Sequence, residues 1–182
     1  MAITTAQIST EESIEQQLKD YTFEAETSFQ QSSKDGVERL FRHITPKQLV
    51  DLGCGDGAAY KFVGKVPYIG VDINEVKLEK HPGKTVCDDM VSYLKKQKNG
   101  SIPAIFCHHA LEHVPNPADI LNLIGQKLVK GGYAYIEVPA DDRVHSVHHA
   151  TFDSPEDLLP ADCETVEAVT SGGEHYIIAR KL

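Results

Sequence analysis

A chain of 182 residues can bury one sizeable core and is too short for two ordinary domains. Its 41% hydrophobic and 25% charged residues are the balance of a soluble globular protein, and no apolar run approaches the ~20 residues of a membrane span. The net charge of −9 makes nucleic acid an unlikely partner, because neutralising phosphates takes clustered Lys and Arg. Lys95-Lys96-Gln97-Lys98 is short and reads as the end of a solvated helix. Met1 to Thr10 lacks the basic and apolar regions of a secretory signal, so a cytoplasmic location is the expectation. Cys54, Cys87, Cys107 and Cys163 form no C-x-x-C pair and read as small buried hydrophobes of a reduced protein.

In chain order, residues 1 to about 10 read as an unstructured leader, and Glu11 to Asp20 as a modest helix with Ile14 and Leu18 on one face. Lys34 to Ile44 places Val37, Leu40, Phe41 and Ile44 at helical spacing, and Pro46 closes that helix. A leader with a helical cap is therefore expected over 1–34 and the main domain over 35–182. Leu49 to Leu52 reads as a short buried strand, which breaks into glycines at 53, 55 and 57 before a helix opens over Ala58 to Val63. Strands are then predicted over Val66 to Val71, Lys84 to Cys87, Ile102 to Cys107 and Tyr133 to Val138. Helices are expected from Met90 to about Lys98 and over Pro117 to Leu128, the second stopped by Lys130-Gly131-Gly132. Alternating strands and helices predict a mostly parallel sheet covered on both faces. Glu164 to Val169 and His175 to Ala179 then form a hairpin across Gly172-Gly173.

The glycines run G-x-G-x-G, which is not the G-x-G-x-x-G of a dinucleotide loop, and Asp51 stands two residues before the first. An anion there repels phosphate and favours an ammonium or sulfonium group, which disfavours a nicotinamide-dependent oxidoreductase. Asp51-x-Gly53-x-Gly55-x-Gly57 resembles motif I of the class I S-adenosylmethionine-dependent methyltransferases. Leu111-Glu112-His113-Val114 with its prolines, and the run from His148-His149 to Ser154-Pro155-Glu156, are similar to segments of the ubiquinone-biosynthesis-type subgroup. The resemblance implies a Rossmann-like fold with a mostly parallel seven-stranded sheet, an antiparallel C-terminal hairpin and helices on both faces. It implies methyl transfer from S-adenosyl-L-methionine, leaving S-adenosyl-L-homocysteine, to a small-molecule acceptor. The alternative is a cofactor-binding module that is non-catalytic or completed by a partner protein or a second copy.

Carried onto this sequence, the resemblance puts Asp51, Gly53, Cys54, Gly55 and Gly57 in the cofactor loop. Asp72, with Ile73 beside it, would take the ribose hydroxyls, since one carboxylate accepts two hydrogen bonds. Asp88, Asp89 and Met90 would border the adenine; either aspartate reads equally as the cap of the helix that follows. His108 would lie beside the methionine part, with His109 and His149 facing the acceptor as candidate bases. Tyr21, Phe23 and Phe29 are expected to fold over the cofactor. His109 and His113, four apart on a helix, could join His145 or His148 around a metal. That reading is disfavoured, because Glu112 would point away from the pair, and no metal is expected.

Overall fold

The computed structural model describes residues 4–5, 24–140 and 150–182. In chain order its strands are β1 (Thr4–Thr5), β2 (Leu49–Leu52), β3 (Tyr68–Asp72), β4 (Thr85–Cys87), β5 (Ile102–His108), β6 (Leu128–Pro139), β7 (Ala150–Thr151), β8 (Cys163–Ser171) and β9 (Glu174–Lys181). Its helices are α1 (Glu24–His43), α2 (Tyr60–Val63), α3 (Glu75–Leu78), α4 (Met90–Lys96) and α5 (Pro117–Lys127). Seven strands form one sheet in the order β4-β3-β2-β5-β6-β9-β8. The first five are parallel to their neighbours, and β9 pairs antiparallel with both β6 and β8. The chain reverses direction across the sheet at β2, so β2 and β5 carry the switch point where open α/β sheets bind ligands. Among the described residues no helix is long and apolar enough to cross a membrane.

The central strands are apolar throughout because both faces are covered. Val50, Ile105, Cys107 and Ile136 point to a core shared with Leu94 of α4 and with Ile120, Leu121 and Ile124 of α5. Leu49, Ala104, Phe106, Tyr135 and Ile178 point to the opposite core with Val37 and Leu40 of α1. Strand alternation therefore puts Asp51 on the same face as Leu49, under α1 and α2.

Close approaches are made at glycines. A Cβ at Gly36 would lie 2.8 Å from the Tyr135 ring, so this position lets α1 settle on the sheet. A Cβ at Gly125 would collide with the backbone of Ala161, including its carbonyl oxygen. Gly125→Ala is expected to lower stability by about 1–3 kcal/mol despite alanine's better helix propensity. A denaturant midpoint equal to that of the parent would contradict it.

The structure departs from the sequence expectations at three elements, and Cys87, expected to be buried, is exposed just where β4 ends at the sheet edge. The helix expected over Lys34 to Ile44 runs from Glu24 to His43, so the boundary drawn after residue 34 falls inside α1. Among its first ten residues only Ala25 and Phe29 are apolar, too few for a period to be read. Thr4–Thr5, expected to be unstructured, pairs antiparallel with Ala150–Thr151. Lys130-Gly131-Gly132 does not cap the helix, because α5 ends at Lys127 and these residues lie within β6. The ladder there is irregular: Ile102 opposes Leu128, whereas Ala104 opposes Tyr133. Pro103 stands between them with no N–H to give, and the surplus residues of β6 bulge out at Gly131, whose φ is +74°. The expected helix from Glu11 to Asp20, and Tyr21 and Phe23, lie outside the described residues, as does the side chain of Phe29.

Candidate functional site

β2 ends in a loop whose backbone takes positive φ at three glycines. Gly53, Gly55 and Gly57 have φ of +81°, +54° and +92°. A Cβ at Gly53 would collide with Ala110 and come 3.3 Å from Met90 Cε. The loop is tied to the next strand by Gly53 N and Cys54 N, which donate to Val71 O at 2.8 and 3.1 Å. Asp72 pins it further: Oδ2 accepts from Gly55 N at 2.9 Å and Oδ1 from Asn74 N at 2.8 Å. Ile73, next to Asp72, is a partly exposed apolar side chain. Met90 leans over Gly53 from the start of α4, so Asp51, the three glycines, Asp72 and Met90 converge at one end of the sheet.

Asp51 is 3% exposed and accepts from Tyr68 Oη at 2.5 Å. Burial pushes its carboxyl up to about 7 against the pull of that hydrogen bond, and the charge of Asp72 adds to the rise. The two aspartates after β4 divide their roles. Asp89 caps α4, accepting from Ser92 N at 2.9 Å. Asp88 accepts from Lys96 Nζ at 2.6 Å.

A second cluster forms where β5 and β6 end and β9 begins. His108 Nε2 lies 2.7 Å from Ser32 Oγ of α1 and 3.3 Å from Glu137 Oε1. His109 takes a left-handed φ of +47°, which turns its ring among three carboxylates. Its Nδ1 is 3.5 Å from Glu112, and its Nε2 is 3.7 Å from Glu137 and 3.4 Å from Glu174. Glu137, 2% exposed, also receives the hydroxyls of Ser32 and Tyr135, with Arg39 Nη1 at 3.6 Å. The Phe106 ring stacks between His108 and Tyr135, Tyr135 stacks on Tyr176, and Arg39 covers Tyr176 at 4.3 Å. The cluster is thus held against the core that lies under α1.

Burial pulls the His109 imidazole down, yet hydrogen bonds with Glu112 and Glu137 and the charges of Glu112 and Glu174 outweigh it and carry the group up to about 10. Such a ring is an imidazolium at neutral pH. It donates to the carboxylates around it. His108 goes the other way, lowered chiefly by burial.

Glu112 does not point away from the histidines. Its Oε1 sits 3.5 Å from His109 Nδ1 and 3.7 Å from His113 Nε2. The α-helix assumed there is a 3₁₀ turn over Leu111–His113 entered from the left-handed His109, which rotates Glu112 inward. Glu112 Oε2 is buried with no hydrogen-bond partner among the described residues. His108, His109 and Glu137 offer ligand atoms within 4.8 Å of one another, a geometry that could hold a metal ion. His145, His148 and His149 lie outside the described residues.

Glu137, Ser32 and Tyr68 were not singled out from sequence. Glu137 carried a signal, as an acid inside the apolar run Tyr133 to Val138. The two others are ordinary helix and strand residues whose partners are far away in the chain.

Residues 25–165 match the model of a family described as a methyltransferase domain. A curated relative, the ubiquinone biosynthesis O-methyltransferase of Shewanella halifaxensis, is 24% identical over 111 residues. The match takes in 54% of this chain and 46% of that protein, so the chain spans about half the length of the curated relatives it matches. A methyltransferase structure from Archaeoglobus fulgidus superposes with a TM-score of 0.71 at 19% identity, over 89% of this chain and 100% of the other. The 1,6-didemethyltoxoflavin-N1-methyltransferase of Burkholderia thailandensis, solved with its substrate and S-adenosylhomocysteine, gives 0.68 at 19% identity, over 99% and 94%. With its glycine loop at the switch point and a family match across most of its length, the chain belongs to the methyltransferase-domain family and has the class I S-adenosylmethionine-dependent methyltransferase fold.

Proposed function

We propose that the protein transfers a methyl group from S-adenosylmethionine to an oxygen or nitrogen of a small-molecule acceptor. The observation that carries this reading is the loop of positive-φ glycines between two aspartates, facing a buried His/Glu cluster across the strand ends. The residues fit the cofactor: no side chain can occupy position 53, Asp51 offers an anion to an ammonium, and the Asp72 carboxylate retains lone pairs for ribose hydroxyls. Met90 would pack on the adenine, with Asp88 and Asp89 at its edge. When bound, the cofactor would supply an activated methyl on a sulfonium: the carbon–sulfur bond breaks as the bond from the acceptor oxygen or nitrogen forms, and the acceptor's proton passes to a base.

The protein's own part is alignment and proton handling. Glu112 Oε2, buried without a hydrogen-bond partner among the described residues, suits an acceptor hydroxyl or amine. The His109 imidazolium would steady the charge on that side. His149, read from sequence alone, is the base proposed to take the acceptor's proton. Ser32 and Ser33, which reach His108 from α1, support a capping role for the N-terminal segment over the site. A cytoplasmic location belongs to the same reading, supported by four unbridged cysteines. In the alternative reading, a cofactor-binding module without a complete acceptor site, a second copy or partner protein would complete the acceptor side.

The test is transfer of methyl-labelled S-adenosylmethionine into a small-molecule extract. Label in low-mass product that depends on Asp72 is the expected result. Label only in protein or RNA would sink the small-molecule reading.

A further inference from the structure

Behind Asp51 lies a chain of hydrogen bonds with a fixed direction. Gly83 N donates to His81 Nδ1 at 2.9 Å, and a backbone amide can only donate. Nδ1 is therefore the acceptor, and in the neutral ring Nε2 carries the proton. Nε2 lies 3.3 Å from Tyr68 Oη, to which it donates. That leaves the Tyr68 proton for Asp51 Oδ2 at 2.5 Å. Every link points to Asp51 as the acceptor.

The relay is also packed against the glycine loop. The Tyr68 and His81 rings stack at 5.5 Å, and Tyr60 meets Tyr68 edge-on at 5.1 Å. A Cβ at Gly57 would lie 2.9 Å from His81 Cδ2 and Nε2, so the third glycine of the loop rests on that ring. Tyr68 and His81 are 7% and 8% exposed, and neither is used by the methyl-transfer reading.

We propose that His81 and Tyr68 are positioning residues of the cofactor site, a one-way relay that holds Asp51 as the anion for the cofactor's ammonium and makes cofactor affinity depend on pH. This rests on the assignment of Asp51 to the cofactor loop. The titratable groups around Asp51 are Tyr68 and Asp72 from β3, Cys54 and Asp56 from the loop, Cys107 from β5 and His81 after α3. Burial holds the Cys54 and Cys107 thiols well above their usual range, so they stay neutral. Burial lowers His81, which keeps Nδ1 open to Gly83. With Asp51 raised to about 7, the form that binds a cation is complete above that pH and is lost as pH falls through it.

The experiment is calorimetric titration of the full chain with S-adenosylhomocysteine from about pH 5.5 to 8.5, a window in which Asp51 changes charge. The parent should weaken as pH falls through about 7. Tyr68→Phe removes the bond that favours the anion, so its midpoint should rise by about one pH unit, with a further loss of roughly tenfold near pH 6. His81→Phe keeps the ring stack and should shift the midpoint the same way by less. Asp51→Asn should bind weakly and without this pH dependence. If Tyr68→Phe weakens binding equally at every pH while Asp51→Asn flattens the profile, Tyr68 is merely structural and the relay is overturned. If the parent is itself flat and Asp51→Asn binds like it, Asp51 does not meet the cofactor and the underlying assignment fails with the relay.

Discussion

Replacing Glu137 by alanine is expected to cost about 3–5 kcal/mol of stability, the scale of breaking a buried ion pair from one side. Its 2% exposed carboxylate receives Ser32 and Tyr135 and lies within ion-pair distance of Arg39, His108 and His109. Removing it takes from each of them a buried partner and opens a cavity between α1 and the sheet. Burial pushes Glu137 up, but hydrogen bonds with His108 and His109 prevail and hold it well below the usual carboxylate range.

The pH dependence follows from its neighbours. Glu112 is raised by burial but brought down to about 2 by His113 and His109, so its share of stability is present above the ordinary 4.5 and lost as pH falls through about 2. His109, up at about 10, contributes fully below its ordinary 6.5 and loses that share as pH rises through about 10. In Glu137→Ala the His109 value drops towards 6.5, so the alkaline loss of stability should begin at lower pH. Urea midpoints across pH read both effects. A variant as stable as the parent, with the same alkaline limb, would remove Glu137 from the centre of this cluster.

Asp72→Ala is expected to weaken S-adenosylhomocysteine binding by about 1–3 kcal/mol, roughly 5- to 150-fold. Two losses combine. The ribose hydroxyls lose an acceptor, and Gly55 N and Asn74 N lose the carboxylate that pins the glycine loop. Asp72→Asn keeps one oxygen acceptor and should fall between parent and alanine. Calorimetry distinguishes these cases, and an unchanged dissociation constant for Asp72→Ala would take the residue out of the site.

The fold was legible because its signals are local. Leu49 to Leu52 and Ile102 to Cys107 are uninterrupted apolar runs, as strands buried on both faces must be, and the glycines follow the first at a spacing few other loops need. The residues assigned to the cofactor side come together for the same reason, since Asp51 and Asp72 lie at the C-terminal ends of β2 and β3, and Gly53 and Met90 follow β2 and β4. What stayed hidden depends on contacts across the sheet. Whether Glu112 faces in or out turns on a 3₁₀ turn and the left-handed φ of His109, which helical spacing does not encode. Tyr68 and His81 are 13 residues apart, and the tautomer that orders them is set by the backbone of Gly83. The bulge at Gly131 falls where the ladder passes Pro103, a residue of a different strand with no N–H to give.

The most direct test of the central claim is calorimetric titration of the full chain near pH 8 with S-adenosylhomocysteine, and in parallel with NADH. The account predicts one site for S-adenosylhomocysteine, in the micromolar range or tighter, and no measurable heat with NADH. NADH binding the more tightly, or neither ligand binding, would contradict the assignment of the Asp51 to Gly57 loop.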